Sequence, residues 1–537
     1  MRIPLTRPRP YLDDARAALL VALIDLPLCL GIAVASGCPP IAGILTAICG
    51  GLVASFLGSA RLTIKGPAAG MIVVVLGAVQ DLGGGDNALG YRRILAVGVA
   101  AACLQIVASR LHAGKLCQVI PPSVVHGMLA AIGIIIIAKQ VHIMLGVIPH
   151  SKMPIALLME LPDSIIHANP RVAIAGLTAL SVMLIFFFQP FAALKKVPVA
   201  ILALGVALPM AIIWHMDVEQ SYQMFGQNYE LGPKFLVTLP ANIMGSLTRP
   251  DFSILQTSLA WKHVLLFFLI GSVESLLTVS AVNGLDPERQ PADLNDDLFA
   301  TGVANLVAAA IGGLPMISEV VRSKANIDAG ARTVWSNFMH GGFLLLAVAG
   351  CASVLHEIPL AALAAMLIFT GLRLLSPKAF LQIYRIGSDQ LLLFALTAVV
   401  TLTIDLLMGV LSGVVLEAVL HLLRGVPPLA LFRLPIQRED AGPLTHLRVN
   451  GPAVFSNYLV LNHQICAALG AGRQVRVDFT HAALVDHTTL DRVETFERLN
   501  GTRQFQFGGL DRHGSTSAHA LATRRLNSLK PSAGCRP

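Results

Sequence analysis

Charge is scarce in this sequence. Asp, Glu, Lys and Arg make up 13% of its 537 residues, against 55% hydrophobic, whereas soluble domains run near about a quarter charged. So few charges cannot coat a water-facing surface, which argues against a large soluble protein with a greasy core. Cysteine gives no framework either. There are eight, and Cys29, Cys38, Cys49, Cys103, Cys117 and Cys351 lie in or beside apolar runs without repeated C-x-x-C pairing, as small buried hydrophobes do. No metal-ligand cluster or nucleophile triad stands out, so no enzyme and no cofactor are expected; His112, His126 and His142 read as structural or interfacial. A cleavable signal peptide is not expected: Met1–Arg16 is basic and Pro-rich, but the apolar run that follows continues too far and lacks a cleavage site. The net charge of +8 fits basic cytoplasmic loops better than a nucleic-acid partner.

What the sequence has is apolar runs, with mean hydropathy +0.70. Ile94–Val107, Met128–Ile137, Leu265–Leu277 and Phe343–Ala352 sit inside runs of the roughly 20 residues that a helix needs to cross a bilayer. Lipid offers the backbone no partner, so the spanning element is expected to be helical. The pattern predicts spans at 17–36, 39–58, 66–80, 92–110, 122–146, 171–189 and 197–215 in a first half. A second half has 262–281, 298–312, 316–327, 334–353, 358–375, 388–404 and 407–423. With the N-terminus in the cytoplasm, the inner side receives Arg2, Arg7, Arg9, Arg16, Arg61, Arg110, Lys115, Lys195, Lys196, Arg373, Lys378, Arg385 and Arg424. The outer side receives fewer, chiefly Arg92, Arg93, Lys152, Arg171, Lys234 and Arg249, as the positive-inside rule requires of an even count. The long outer loop Asp217–Trp261 suggests no function.

The halves echo one another. The short third span opens at Lys65-Gly66-Pro67-Ala68-Ala69-Gly70, and the short tenth near Gly312-Gly313-Leu314-Pro315-Met316-Ile317-Ser318, about 250 residues on. Asp25 in the first span and Glu274 in the eighth are 249 apart. Short Gly/Pro-interrupted segments at matching places point to an inverted repeat and to a central transport site. Two half-helices meeting there would aim their free N–H groups and macrodipoles at an anion. Pro67 suits a helix first turn, Ala68, Ala69 and Gly70 allow close approach, and Ser318 offers an N-cap hydroxyl. An alternative is a pair of merely kinked structural helices.

Ionisable groups inside spans mark function by default. Arg322 would supply positive charge to the anion, or be a structural, salt-bridged Arg. Glu319, three residues earlier on the same face, would pair with Arg322 or with Lys65. Glu274, with Thr278 one turn on, is the leading candidate for coupling, taking a proton or binding Na⁺, the only metal role expected. Asp25 is a weaker candidate, and Asp405 reads as interfacial. After Arg424, Val426-Pro427-Pro428 breaks the last helix. Thr445–Val449, Gln474–Phe479 and Thr488–Leu499 then suggest a small α/β domain.

These residues together resemble the SulP (sulfate permease) family of anion transporters over nearly the whole chain. The likeness rests on Pro27 and Gly31 before Ala35-Ser36-Gly37-Cys38-Pro39-Pro40, on Gly58-Ser59 before Gly66–Gly70, and on Asp293–Leu298 with Gly302-Val303-Ala304-Asn305. It continues in Gly312–Pro315, Arg322-Ser323, Asn326-Ile327 and Gly330–Thr333. Leu28 departs from a frequent Gln, Lys65 from a small polar residue, and Glu319 from Gly or another small residue. The resemblance implies a seven-plus-seven inverted repeat with core and gate domains, an anion site between the third and tenth helices, a coupling carboxylate at Glu274, elevator-like movement and a homodimer. It also implies a cytoplasmic STAS domain, matched by Val477-Asp478-Phe479, Leu484–Leu490 and Gly508–Asp511, with Thr488 or Thr489 at a position phosphorylated in related regulators.

The expected fold is therefore an all-α polytopic membrane domain of fourteen spans with two half-helices, followed by the STAS domain. Residues 1–16 would be a cytoplasmic segment, 17–425 the transport domain with repeats 17–215 and 262–425, and 426–537 the STAS-like domain. The expected function is secondary transport of bicarbonate or sulfate with H⁺ or Na⁺ across a bacterial inner (plasma) membrane, both termini cytoplasmic. An anion channel or exchanger and a STAS-signalling transceptor are the alternatives; a nucleobase transporter would lack the STAS-like tail.

Overall fold

The computed structural model describes residues 10–114, 119–149, 151, 153–188, 199–224, 226–237, 247–283, 286, 292–350, 355–404 and 406–526. Its contacts divide the chain into two compact units, Met1–Gly114 with Ile132–Leu374, and Lys115–Ala131 with Leu375–Pro537. Asp405, expected at an interface, lies outside the described residues.

The first unit is helical around one short two-stranded ladder. Its first half runs α1 (Pro10–Ala35), α2 (Pro40–Leu52), β1 (Ile64–Pro67), α3 (Ile72–Gly83), α4 (Asn87–Arg110), the second part of α5 (Pro122–Met144), α6 (Pro170–Phe188) and α7 (Val199–Ile213). After a hairpin of β2 (Gln220–Met224) and β3 (Gln227–Leu231) come α8 (Ser258–Asn283), α9 (Leu294–Ile311), β4 (Met316–Glu319), α10 (Val320–Asp328), α11 (Trp335–Gly350) and α12 (Leu360–Leu374). The hairpin occupies part of the loop that the sequence left blank; Tyr222 stacks on Tyr229 at 5.6 Å and lies under the Arg171 guanidinium at 4.1 Å.

Local chemistry sets several helix ends. Asp86 starts α4 by accepting from the Ala88 and Leu89 amides at 2.8 and 3.2 Å, and Asp293 starts α9 by accepting from Asn295 and Asp296. The first helix begins at Pro10 rather than at 17. Residues 1–9 of the expected N-terminal segment lie outside the described residues, and the rest of it is helical, anchored by Asp14, which is buried and accepts from the Arg332 and Thr333 amides at 2.7 and 3.2 Å. Helices α2 and α11 touch backbone to backbone. A Cβ on Gly51 would fall 2.6 Å from the Gly341 Cα, so this contact requires glycine on both sides.

Every expected span coincides with a helix, and among the described residues seven helical stretches are long and apolar enough to cross a membrane by length and composition. Large apolar side chains such as Phe188, Ile213 and Leu346 are more than half exposed, as a lipid-covered surface requires. The third and tenth spans differ most from expectation. Residues 64–67 and 316–319 are strand, and the helices begin only at Ile72 and Val320.

The second unit joins the start of α5 to α13 (Pro377–Ile386), α14 (Ser388–Thr403), α15 (Leu406–Leu423) and an α/β domain. Here Ser123 donates to Gln390 at 2.7 Å, and Arg424 pairs with Asp389 at 2.8 Å. The domain is built on a sheet ordered β5 (Ile436–Ala441), β6 (Leu444–Val449), β7 (Gln474–Asp478), β9 (Phe505–Gly508), antiparallel at the first pairing and parallel at the next two. Helices α16 (Tyr458–Gly470) and α17 (His487–Asn500) cover it, and β8 (Leu484–Val485) joins β10 (His513–Ser515) and β11 (Arg524–Leu526) in a second small sheet. Leu447, Tyr458, Val475, Val477, Phe479 and Phe505 form its core. At the end of β7, burial works to raise the Asp478 carboxyl. Hydrogen bonds from the Thr480 hydroxyl and amide, with the charges of His481 and Arg448, outweigh it and hold that carboxyl below its ordinary value.

Candidate anion site

Strands β1 and β4 pair antiparallel with Ile64 opposite Glu319, Lys65 opposite Ser318, Gly66 opposite Ile317 and Pro67 opposite Met316. Segments some 250 positions apart in sequence thus share one ladder, and Ala68–Gly70 follow directly from it. The pairing satisfies backbone groups of residues that are mostly buried. Side chains from other helices hold it in place. Asn305 on α9 accepts from the Met316 amide at 2.7 Å and donates to the Met316 carbonyl at 3.1 Å, and Ser323 accepts from the Ile64 amide at 2.9 Å. Ser275 on α8 accepts from the Ser318 amide at 3.1 Å.

This geometry corrects the expected helix starts. Pro67 is a strand residue, not the first turn of a helix, and α3 begins after Met71 without a side-chain cap. Ser318 is likewise in a strand and caps nothing; the residue preceding α10 is Glu319. An extended lead-in lets the two segments hydrogen-bond to each other, which two helix ends alone cannot do.

The charges pair differently from the sequence expectation. Lys65 does not pair with Glu319: its Nζ lies 2.8 Å from Asp297 Oδ1 and donates to Thr301 and Ser318 hydroxyls at 3.0 and 2.8 Å. Arg322 Nε bridges to Asp25 Oδ1 at 2.7 Å, and His340 Nε2 lies 2.9 Å from Asp25 Oδ2. Cys29, one turn after Asp25, donates its thiol to the same carboxylate at 3.2 Å. Both cations therefore have buried carboxylate partners, which offset the cost of holding charge away from water. Glu319 instead accepts a hydrogen bond from the Ala69 amide at 3.3 Å, across the ladder.

Arg322 Nη1, Glu274 Oε2 and His340 Nδ1 remain here without a hydrogen-bond partner among the described residues. Arg322 Nη1 is buried against Gly66, where a Cβ would fall 2.3 Å away. Glu274 Oε2 is buried on α8, and its carboxyl lies against Gly70, where a Cβ would fall 2.2 Å from Oε1. Thr278, one turn further along α8, is also buried. Ala68 and Ser318 are almost wholly covered, at 1% and 0% exposure, while Ala69 and Glu319 are partly open and Val320 is exposed. The Ala69–Glu319 side of the ladder is thus the more open one. The two clefts next to these strands, one beside Gln105, Phe267 and Asn305 and one beside Lys65 and Asp297, are not lined by Ala68, Ser318 or Arg322.

Sequence reading missed His340, Asp297, Thr301 and Ser275 as members of this cluster. His340 was findable, because an ionisable residue inside an apolar run is the same signal that exposed Arg322. In the second unit, Thr488 and Thr489 are fully buried on the first turn of α17, so a modifying enzyme would reach them only if that turn opened.

Several known proteins resemble this chain. A "Putative sulfate transporter YvdB" of Bacillus subtilis is 24% identical over 417 residues, covering 77% of this chain and 74% of its own. A "Bicarbonate transporter BicA" of Picosynechococcus is 26% identical over 415 residues, 76% of this chain and 70% of its own. Among solved structures, that of SLC26A9 superposes with a TM-score of 0.68 at 14% identity, over 92% of this chain and 83% of the other. The pattern of the sulfate permease family matches residues 12–397, which is most of the chain, and the protein belongs to that family of membrane anion transporters.

Proposed function

We propose that this protein is a secondary active transporter of an inorganic oxyanion, bicarbonate or sulfate, bound where β1 and β4 meet. The observation that carries this reading is the Arg322 Nη1 donor, buried and unpartnered beside Gly66, at a ladder joining the two halves of the chain. An anion there would accept from Arg322 and lie against Gly66, Pro67, Ala68, Ala69 and Gly70 on one side and Ile317 and Ser318 on the other, where residues other than Pro67 carry an N–H. The α3 and α10 macrodipoles add positive potential from either side. Relatives named for sulfate and for bicarbonate support an oxyanion of this size.

Glu274 couples the anion to a cation. A buried carboxylate with an unpartnered oxygen favours taking up H⁺, or Na⁺ with the Thr278 hydroxyl as a further ligand. The fourteen helices that match the expected spans read as two inverted sets of seven, with β1–α3 and β4–α10 as equivalent elements. The antiparallel ladder is what such a symmetry would produce. Elevator-type alternating access, a homodimer, a cytoplasmic STAS domain and residence in a bacterial plasma membrane with both termini inside complete the proposal.

Uptake of labelled sulfate and labelled bicarbonate into proteoliposomes, each under imposed Na⁺ or H⁺ gradients, tests it. One anion should accumulate against its gradient when one cation gradient is imposed, and Glu274→Gln should take up anion without responding to that gradient. Anion current that reverses at the anion's own equilibrium potential, with no response to either cation, would replace the transporter reading by a channel.

A further inference from the structure

A second cluster of buried ionisable groups lies in the other unit. Glu417 and His421 are four residues apart on α15 and so lie one turn apart on one face. Asp486, the N-cap residue of α17 in the α/β domain, faces them. His421 Nε2 lies 3.3 Å from Asp486 Oδ2 and 3.8 Å from Glu417 Oε1, and one donor atom from each residue falls within 4.8 Å of both others. The three residues are 1%, 1% and 0% exposed.

Ordinary hydrogen bonding does not account for this cluster. Asp486 is well served: Oδ1 accepts from the Thr489 amide at 2.8 Å and Oδ2 from the Phe455 amide. Glu417 is not, since neither of its carboxylate oxygens has a hydrogen-bond partner among the described residues, and His421 Nδ1 has none either. A fully buried carboxylate without a donor is strongly unfavourable. A protonated His421 would balance only one of the two carboxylates and would leave Glu417 beyond hydrogen-bond reach.

We propose that Glu417, His421 and Asp486 bind a divalent transition cation of the Zn²⁺ or Mn²⁺ class, which clamps the α/β domain to the last helix of the preceding helical segment. Charge balances: two carboxylates and a neutral imidazole match a dication. So does geometry, because bonds of about 2.0–2.2 Å to a common ion place donor atoms roughly 3–3.6 Å apart, close to the spacings already present. One imidazole with two carboxylates suits these ions; Cu⁺ prefers sulfur, and Ca²⁺ takes six or more oxygens. Asp486 anchors the site, its orientation fixed by the two amides it accepts from.

The test uses the full-length, tag-free protein, stripped with a chelator, incubated with Zn²⁺ or with Mn²⁺, desalted and assayed for metal. Wild type should retain about one ion per chain, and Glu417→Gln and Asp486→Asn should bind at least tenfold more weakly, as loss of a ligand does. Asn remains a good N-cap, so D486N keeps α17 intact. Thermal unfolding should shift upward with the ion in wild type and not in E417Q, and X-ray absorption on the zinc-loaded protein should show nitrogen and oxygen neighbours. Wild type that retains no stoichiometric ion, or E417Q that binds as tightly as wild type, overturns the proposal. None of these readouts depends on transport, so this result and that of the uptake assay stand apart.

Discussion

The two strand–helix elements at the centre of the first unit share an order and differ in character. β1–α3 presents backbone: Gly66, Pro67, Ala68, Ala69 and Gly70 lead into an α3 that carries no charge before Asp81. β4–α10 presents side chains: Ser318, Glu319, Arg322 and Lys324 lie within and just after a strand of four residues. One side allows a small solute to approach amides; the other brings charge to meet it. The contrast explains the glycines. Gly66 makes room for the Arg322 guanidinium and Gly70 for the Glu274 carboxyl, so the bare half is shaped by the charged half.

Lys65 is the exception on the backbone side, and replacing it gives the largest expected effect. Lys65→Met strands the Asp297 carboxylate in a site of 0% exposure, a loss of about 3–5 kcal/mol. Melting of the purified protein should fall sharply, and Lys65→Met with Asp297→Leu should recover much of the loss. A single variant that melts like wild type would show that the pair contributes nothing.

Next in size is Gly70→Ala, which puts a methyl group 2.2 Å from Glu274 Oε1. Displacing that carboxyl costs about 1–3 kcal/mol and should reduce gradient-driven uptake far more than it lowers the melting temperature. Equal uptake at wild-type coupling would separate Glu274 from the transport step. On the charged side, Arg322→Lys keeps the charge and loses the planar fork. Losing one charge-assisted hydrogen bond to the anion should raise KM for uptake about 10- to 100-fold, with kcat less affected; an unchanged KM would remove Arg322 from the anion.

The smallest effect contrasts the membrane unit with the α/β domain, where Asp478 titrates in water. Its carboxyl is held below its ordinary value, so its contribution to stability is complete above the unfolded carboxyl range and is lost as pH falls through the lower folded value. Asp478→Asn should speed hydrogen exchange of β7 and β9 amides at neutral pH, and the difference from wild type should vanish in acid. A difference that grows in acid would reverse the sign.

The contrast also marks what was legible in the sequence. Apolar runs located a helix at each expected span, because burial in lipid demands length and hydrophobicity that composition records directly; the short α13 lies outside those spans. The Gly/Pro segments and Arg322 were visible for a related reason: each is costly in a membrane helix. The strand character of residues 64–67 and 316–319 was not visible. Four residues give too short a period, and the two strands are stabilised by each other and by Asn305, Ser275 and Ser323. Ion pairing was equally hidden. Lys65 meets Asp297 and Arg322 meets Asp25 through helices distant in sequence, whereas the nearby Glu319 faces the Ala69 amide instead. Contacts also group α14 and α15, both expected as spans, with α13 and the α/β domain.

The central claim is that a transported oxyanion sits where the two ladder strands end. High-resolution maps of the purified protein, recorded with and without the anion that uptake identifies, test it most directly. The account predicts anion-dependent density within hydrogen-bond reach of Arg322 Nη1 and against both the Gly66–Gly70 and Ile317–Ser318 segments. Anion density elsewhere in the chain, with these groups unchanged between the two maps, would contradict it.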